Sequence, residues 1–175
     1  NAARTLPLDF VLHGDGPASG WAQNARPGDT IGVGGPRGSF VVRGDFDWYL
    51  LVGDETALPA ISRRLEELPR DARAIAVIEI ADNGEIQKID APENAEIHWL
   101  SREGAEPGDL HKLLGAVQGL ELPQGDGYVF VAGESAMSKA VRHHMVDERG
   151  HNPDWIKAAG YWQAGSEDFD DGHAH

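Results

Sequence analysis

The chain has 175 residues, 41% of them hydrophobic, with 22 Gly, 10 Pro and no Cys; 29 acidic against 15 basic side chains give a formal net charge of −14. At roughly 100–200 residues per domain this is one domain, or one domain and a piece of another, and the absent cysteine excludes a disulfide scaffold, a thiolate zinc site and a Cys nucleophile. No apolar run approaches the roughly 18 residues that span a bilayer, and the acidity argues against nucleic-acid binding, which depends on Lys and Arg. The expectation is a cytoplasmic chain without membrane insertion.

Residues Leu8 to Leu12 alternate like a half-buried strand and run into the turn formers His13-Gly14-Asp15-Gly16-Pro17. Ala18 to Asn24 can form at most two helical turns. Thr30 to Val33 reads as a short strand, followed by the irregular Gly34-Gly35-Pro36-Arg37-Gly38. From Asp45 onward the character changes. Trp48 to Val52 is a continuous apolar run suited to a strand buried on both faces. Leu58, Ile61, Leu65 and Leu68 make one face of a helix over Glu55–Leu68, stopped by Pro69. Ala74 to Ile80 is a second buried strand, Asp82 to Asn94 a polar loop, and Glu96 to Leu100 a shorter third strand. A helical stripe at Leu110, Leu113, Leu114 and Val117 precedes a fourth strand, Gly127 to Ala132. Met137, Ala140, Val141, His144 and Met145 form a third stripe, Trp155 to Trp162 reads as a last strand, and Ser166 to His175 as an acidic tail.

Strands alternating with helices at this rhythm imply βαβ crossovers and an α/β fold, a parallel sheet with helices on both faces. The expected organisation is 1–44, a β-rich piece; 45–163, the α/β domain; and 164–175, the tail. Ligands of such sheets bind beyond the carboxyl ends of the strands. Two loops there share one grammar: Gly53-Asp54-Glu55-Thr56-Ala57-Leu58-Pro59 after the first strand, and Gly133-Glu134-Ser135-Ala136-Met137 after the fourth. Each is an apolar run, a Gly, an acidic residue, a hydroxyl residue and a helix, and Gly53 is read as allowing close backbone approach. Either is a nucleotide-facing loop or an ordinary capped turn. Ser101-Arg102, after the third strand, offers a hydroxyl and a guanidinium that could hold a phosphate; the other reading is a solvated Arg paired with Glu103. His144 and Glu148 lie four apart on a helix, but His144 falls on the apolar stripe, so no metal site is assigned. Gly133-Glu134-Ser135-Ala136-Met137 lacks the second glycine of a nucleophile elbow, and no proton-transferring catalytic residue is assigned.

The ordered motifs Asp9-Phe10-Val11-Leu12-His13-Gly14, Gly16-Pro17-Ala18 with Trp21-Ala22, Gly34-Gly35-Pro36-Arg37-Gly38-Ser39, Leu51 to Ala60, Ala132-Gly133-Glu134 and Gly160-Tyr161-Trp162 resemble the C-terminal two-thirds of siderophore-interacting proteins. These are flavin-dependent ferric-siderophore reductases of the ferredoxin-reductase-like superfamily. The resemblance implies a β-barrel FAD-binding domain, represented here by its last strands without its N-terminal part, and a ferredoxin-reductase-like NAD(P)H-binding domain. It implies that His13, Gly16, Pro17, Ala18 and Ser19 hold the FAD phosphates. Gly53, Asp54, Glu55, Thr56, Ala57 and Pro59 would lie by the nicotinamide, with Thr56 near its ring and Gly133, Glu134 and Met137 completing that pocket. Ser101 and Arg102 would contact the 2′-phosphate of NADPH, or stand by NADH, and Trp162 would approach the flavin or cap the site. Lys157 is the nearest cation for an anionic ferric siderophore, or a solvated strand-edge lysine. The implied activity is electron transfer from NADPH through FAD to the chelated iron, released as Fe(II) for iron acquisition; a non-redox nucleotide-binding module and a general flavin reductase are the alternatives.

Overall fold

Strands that lack polar alternation must be covered on both faces, and the chain meets that demand with a five-stranded sheet in which every pairing is parallel. The computed structural model describes residues 6, 8, 10, 12, 16–34, 42 and 45–166. The chain divides into two units, 1–41 and 42–174. In the first, α1 spans Pro17–Asn24, with Pro17 at its first position and Gly16 before it. The second runs β1 (Trp48–Gly53), α2 (Leu58–Glu67), β2 (Arg73–Ile80), β3 (Asn94–Ser101), α3 (Leu110–Gln118), β4 (Gly127–Glu134), α4 (Ser135–His143) and β5 (Ile156–Trp162).

The sheet order is β3-β2-β1-β4-β5. Alternate residues of β1 serve two cores. Trp48, Leu50 and Val52 join Leu113, Val117, Met137 and Val141 of α3 and α4, whereas Tyr49 and Leu51 join Leu58, Ile61 and Leu65 of α2. The helices therefore cover both faces. After β1 the chain builds outward through β2 to β3, then crosses back to place β4 on the other side of β1. The reversal opens a switch point between the carboxyl ends of β1 and β4, where α/β sheets bind ligands.

Several boundaries differ from expectation for local reasons. Helix α2 starts at Leu58 rather than Glu55, because the Asp54 carboxylate accepts from the Thr56 N–H at 2.9 Å and holds residues 54–57 in a turn. The loop 82–94 contains a short 3-10 turn at Asn83–Glu85, with Gly84 N–H donating to Asp82 at 2.7 Å, and its Ile89 and Ala91 pack on the α2 side of the sheet. Strand β3 is longer than expected, eight residues paired along β2. Thr30–Val33 carries no strand: no ladder partner exists for it among the described residues, and an extended segment without one leaves its backbone groups to water. Of the strand expected at Leu8–Leu12, residues 9 and 11 lie outside the described residues, as do His13 and the tail beyond Ser166.

Helix α4 continues into a π turn, His144–Glu148. Arg149 Nε donates to His144 Nε2 at 2.9 Å, so the ring proton sits on Nδ1 and is donated to Glu148 Oε2 at 2.7 Å. The same guanidinium donates to the carbonyls of Val117, Gln118 and Leu120, closing the end of α3. His144 is thus a clasp between two helices.

Candidate functional site

Asp54, the first residue beyond β1, is 4% exposed. A buried carboxylate must have its acceptor sites filled, and this one receives four hydrogen bonds from three segments. Its Oδ1 accepts from Thr56 N–H at 2.9 Å and Thr56 Oγ1 at 2.5 Å; its Oδ2 accepts from Glu134 N–H at 2.9 Å and Trp162 Nε1 at 2.8 Å. The carboxyl ends of β1, β4 and β5 are thereby tied at one point. Two glycines make room for the tie. A Cβ at Gly133, whose φ is +137°, would stand 2.5 Å from Asp54 Oδ2. A Cβ at Gly53 would stand 2.6 Å from both the Ala132 carbonyl oxygen and the Ala57 Cβ. Gly53 is therefore required for packing of β1 against β4 and the α2 turn, and the backbone it brings close is that of β4.

Glu134 extends the lock. Its Oε2 accepts from Met137 N–H at 2.9 Å, capping α4, and its Oε1 from Ala164 N–H at 3.3 Å. The second loop thus caps its helix with a carboxylate, whereas in the first Asp54 closes the turn ahead of α2. Gly108, at φ +98°, passes so close that a Cβ would lie 3.4 Å from the Trp162 ring and 3.7 Å from Glu134 Cγ. Met137 contributes its N–H to this edge, while its side chain is buried in the core beneath α4. Ala57 is fully buried against Ile61 and its neighbours, and Pro59 is exposed at the second position of α2.

At the ends of β2 and β3 stands a second charged group. The Arg102 side chain is 8% exposed. Its two terminal nitrogens meet the Glu55 carboxylate side-on, both at 2.6 Å, and Nη1 lies 3.4 Å from Glu79 Oε1. Hydrogen bonding to Glu55 holds the guanidinium protonated more firmly than usual. Burial pushes the Glu79 carboxyl up, and Arg102 opposes that push. Arg102 is thus neither solvated nor paired with Glu103, correcting that alternative; Glu103 instead donates its N–H to Ser101 Oγ at 3.2 Å. Lys112 donates to the Ser101 carbonyl. Glu79 was missed as a site residue, although a lone acid inside Ala-Ile-Ala-Val-Ile-Glu-Ile is a signal that a buried partner exists.

The structure therefore gathers Gly53, Asp54, Thr56, Gly133, Glu134 and Trp162 at the switch point, with Glu55 next to Asp54 in the same loop and Ser101 and Arg102 two strands away at the end of β3. Lys157 is not gathered. It pairs with Phe130 near the start of β5, five residues before Trp162 and so roughly 16 Å along the strand. In the other unit, Gly16 precedes α1 with no side chain capping it among the described residues, Pro17 and Ala18 are exposed and Ser19 is buried.

The family model for siderophore-interacting proteins matches residues 46–165, and that for the siderophore-interacting FAD-binding domain matches residues 1–40. The ferric vibriobactin reductase ViuB of Vibrio cholerae is 37% identical over 164 residues, covering 91% of this chain and 59% of the relative. The NADPH-dependent ferric-chelate reductase of Escherichia coli is 33% identical over 162 residues, covering 91% and 61%. The crystal structure of a siderophore utilization protein from T. fusca superposes with a TM-score of 0.84 at 47% identity, over 93% of this chain and 62% of that one. This chain spans 59 to 62% of the length of these relatives. With more than half of its residues under one family model and an α/β fold shared with the solved structure, the chain belongs to the siderophore-interacting protein family.

Proposed function

We propose that this chain is the dinucleotide-binding part of a flavin-dependent reductase that passes electrons from NADPH or NADH through FAD to a ferric siderophore, releasing Fe(II). The observation that carries the reading is the pair of βα loops locked across the switch point by Asp54. Such an edge would receive a dinucleotide beyond the strand ends and, in Asp54 and Glu134, would set buried carboxylates near a nicotinamide ring that becomes cationic on oxidation. Gly53 to Pro59 and Gly133 to Met137 line this edge, with Thr56 on the ring side and Trp162 beside it. Ser101 and Arg102 would face the adenosine ribose.

For the flavin, the uncapped entry of α1 fits a phosphate. Among the described residues no side chain caps it, and a Cβ at Gly16 would meet nothing within 4 Å. His13 and Gly16 to Ser19 would hold it. Bound FAD supplies the conversion of a two-electron donor into one-electron steps. The substrate's iron, once Fe(II), is held less firmly by hard oxygen donors and leaves the chelate. Lys157 is proposed as a weak contact for the siderophore's negative charge.

The test uses the full-length flavin-containing protein, NADPH and NADH, and a ferric siderophore, with Fe(II) trapped by a chromogenic chelator. Dinucleotide oxidation that depends on the siderophore and yields stoichiometric Fe(II) is expected. Faster turnover of free flavin than of any ferric siderophore would replace the reading with a general flavin reductase. A protein that binds neither FAD nor a dinucleotide would overturn both.

A further inference from the structure

We propose that Glu55 is a built-in competitor for the Arg102 guanidinium, so that this edge of the sheet takes a dinucleotide with a free ribose 2′-hydroxyl, NADH, in preference to its 2′-phosphorylated form. The inference rests on the reading of the β1 and β4 loops as a dinucleotide site, and it names which dinucleotide that site selects.

Binding a 2′-phosphate requires a cation that can offer a two-pronged face to the phosphate oxygens. Arg102 is the arginine at this end of β3, and its prongs are taken: Nη1 and Nη2 each meet Glu55 at 2.6 Å, and Nη1 also faces Glu79. The remaining nitrogen, Nε, is buried and has no hydrogen-bond partner among the described residues. Being buried, it is out of reach of a phosphate. The backbone N–H of Arg102 is also used, donating to the Ile80 carbonyl at 2.9 Å. Two carboxylates thus face one guanidinium, and an arriving phosphate meets negative charge before it meets Arg102.

A ribose hydroxyl meets the opposite situation. In open α/β sheets an acidic side chain near the end of the second strand accepts from the ribose of NAD. Here Glu79 lies one residue from the end of β2 and is 3% exposed, so it is closed off behind Arg102. Glu55 retains 24% exposure and both its oxygens have lone pairs left after the Arg102 contacts, so it can accept from a hydroxyl without leaving its partner. A 2′-phosphate can reach Arg102 only if Glu55 swings out. Nothing else ties the Glu55 carboxylate down: it accepts no hydrogen bond other than those from Arg102 among the described residues.

The experiment measures binding, apart from turnover. The full-length, flavin-loaded protein is titrated calorimetrically with 5′-ADP and with 2′,5′-ADP, in wild type and in Glu55→Gln. The amide keeps one acceptor oxygen for Arg102 and removes the competing charge. Wild type is expected to bind 2′,5′-ADP no more tightly than 5′-ADP. In E55Q, 2′,5′-ADP is expected to tighten at least about tenfold relative to 5′-ADP, as removal of one like charge from a phosphate site implies. Tenfold preference for 2′,5′-ADP in the wild type, or an unchanged ratio in E55Q, overturns the inference and leaves the dinucleotide reading standing. Failure of both proteins to bind either nucleotide at millimolar concentration overturns the two together. The wild-type ratio stands by itself even where the variant is unstable.

Discussion

Replacing Asp54 with Ala removes the acceptor that joins three strand ends. The Glu134 N–H then loses its partner in a buried setting and the Trp162 Nε1–H in a half-buried one against Gly108, while the Thr56 groups, on the open side of the loop, turn to water. Each stranded buried donor costs about 1–3 kcal/mol. The sum is about 2–6 kcal/mol, and at roughly 2–4 °C per kcal/mol for a chain of this size the centre of that range is a fall in Tm of roughly 8–16 °C. Asp54→Asn is the informative comparison. Its amide oxygen can face Glu134 and Trp162, and the Thr56 hydroxyl can rotate to accept from the amide nitrogen; only the Thr56 N–H is left facing a donor, at a cost of about 1 kcal/mol. Thermal unfolding followed by circular dichroism ranks the three proteins. In a Trp162→Phe background the D54A loss should shrink by about half, since one of its two stranded donors is gone. A D54A loss below about 1 kcal/mol, or equal losses for D54A and D54N, would refute the claim that this carboxylate locks the edge.

Glycine to alanine at position 53 should cost about 1–3 kcal/mol in urea unfolding, because the new methyl falls 2.6 Å from the Ala132 carbonyl and from Ala57. The same change at Gly115, helical, exposed and with nothing within 4 Å, should instead stabilise by about 0.5–1 kcal/mol. Arg102→Met leaves Glu79 charged and unpaired, a loss of about 3–5 kcal/mol at neutral pH. A carboxyl raised in the fold contributes stability below its unfolded value and loses it as pH rises, so the R102M deficit should narrow under acid conditions, and R102M/E79Q should be more stable than R102M. Burial pushes the His151 imidazole below its ordinary value of 6.5, and its Nε2 has no partner among the described residues. The fold holds it neutral, so its contribution is present above pH 6.5 and is lost as pH falls through the lowered value, by at most about 1.4 kcal/mol per pH unit. His151→Gln should flatten that limb of the stability profile; an unchanged slope would assign the acid sensitivity to other groups.

Most of the α/β unit is legible in the amino-acid sequence. Apolar runs such as Trp48 to Val52 and Gly127 to Ala132, and stripes such as Leu58, Ile61 and Leu65, declare strand and helix because each pattern is local and its period follows from backbone geometry. The matching loops after β1 and β4 were found the same way. Thr30–Val33 misled because a β-like composition makes a strand only where a neighbour pairs with it. What the chain alone could not disclose is who meets whom across the sheet. Asp54 binds Trp162 across 108 positions and Glu134 across 80, and Arg102 binds Glu55 across 47. Those partnerships follow from the order β3-β2-β1-β4-β5 and from the parallel register, which bring the carboxyl ends of distant segments to one edge. A side chain's composition says that a buried charge must be answered; only the tertiary structure decides by which group, because the answer depends on which strands lie adjacent rather than on which residues lie near in sequence.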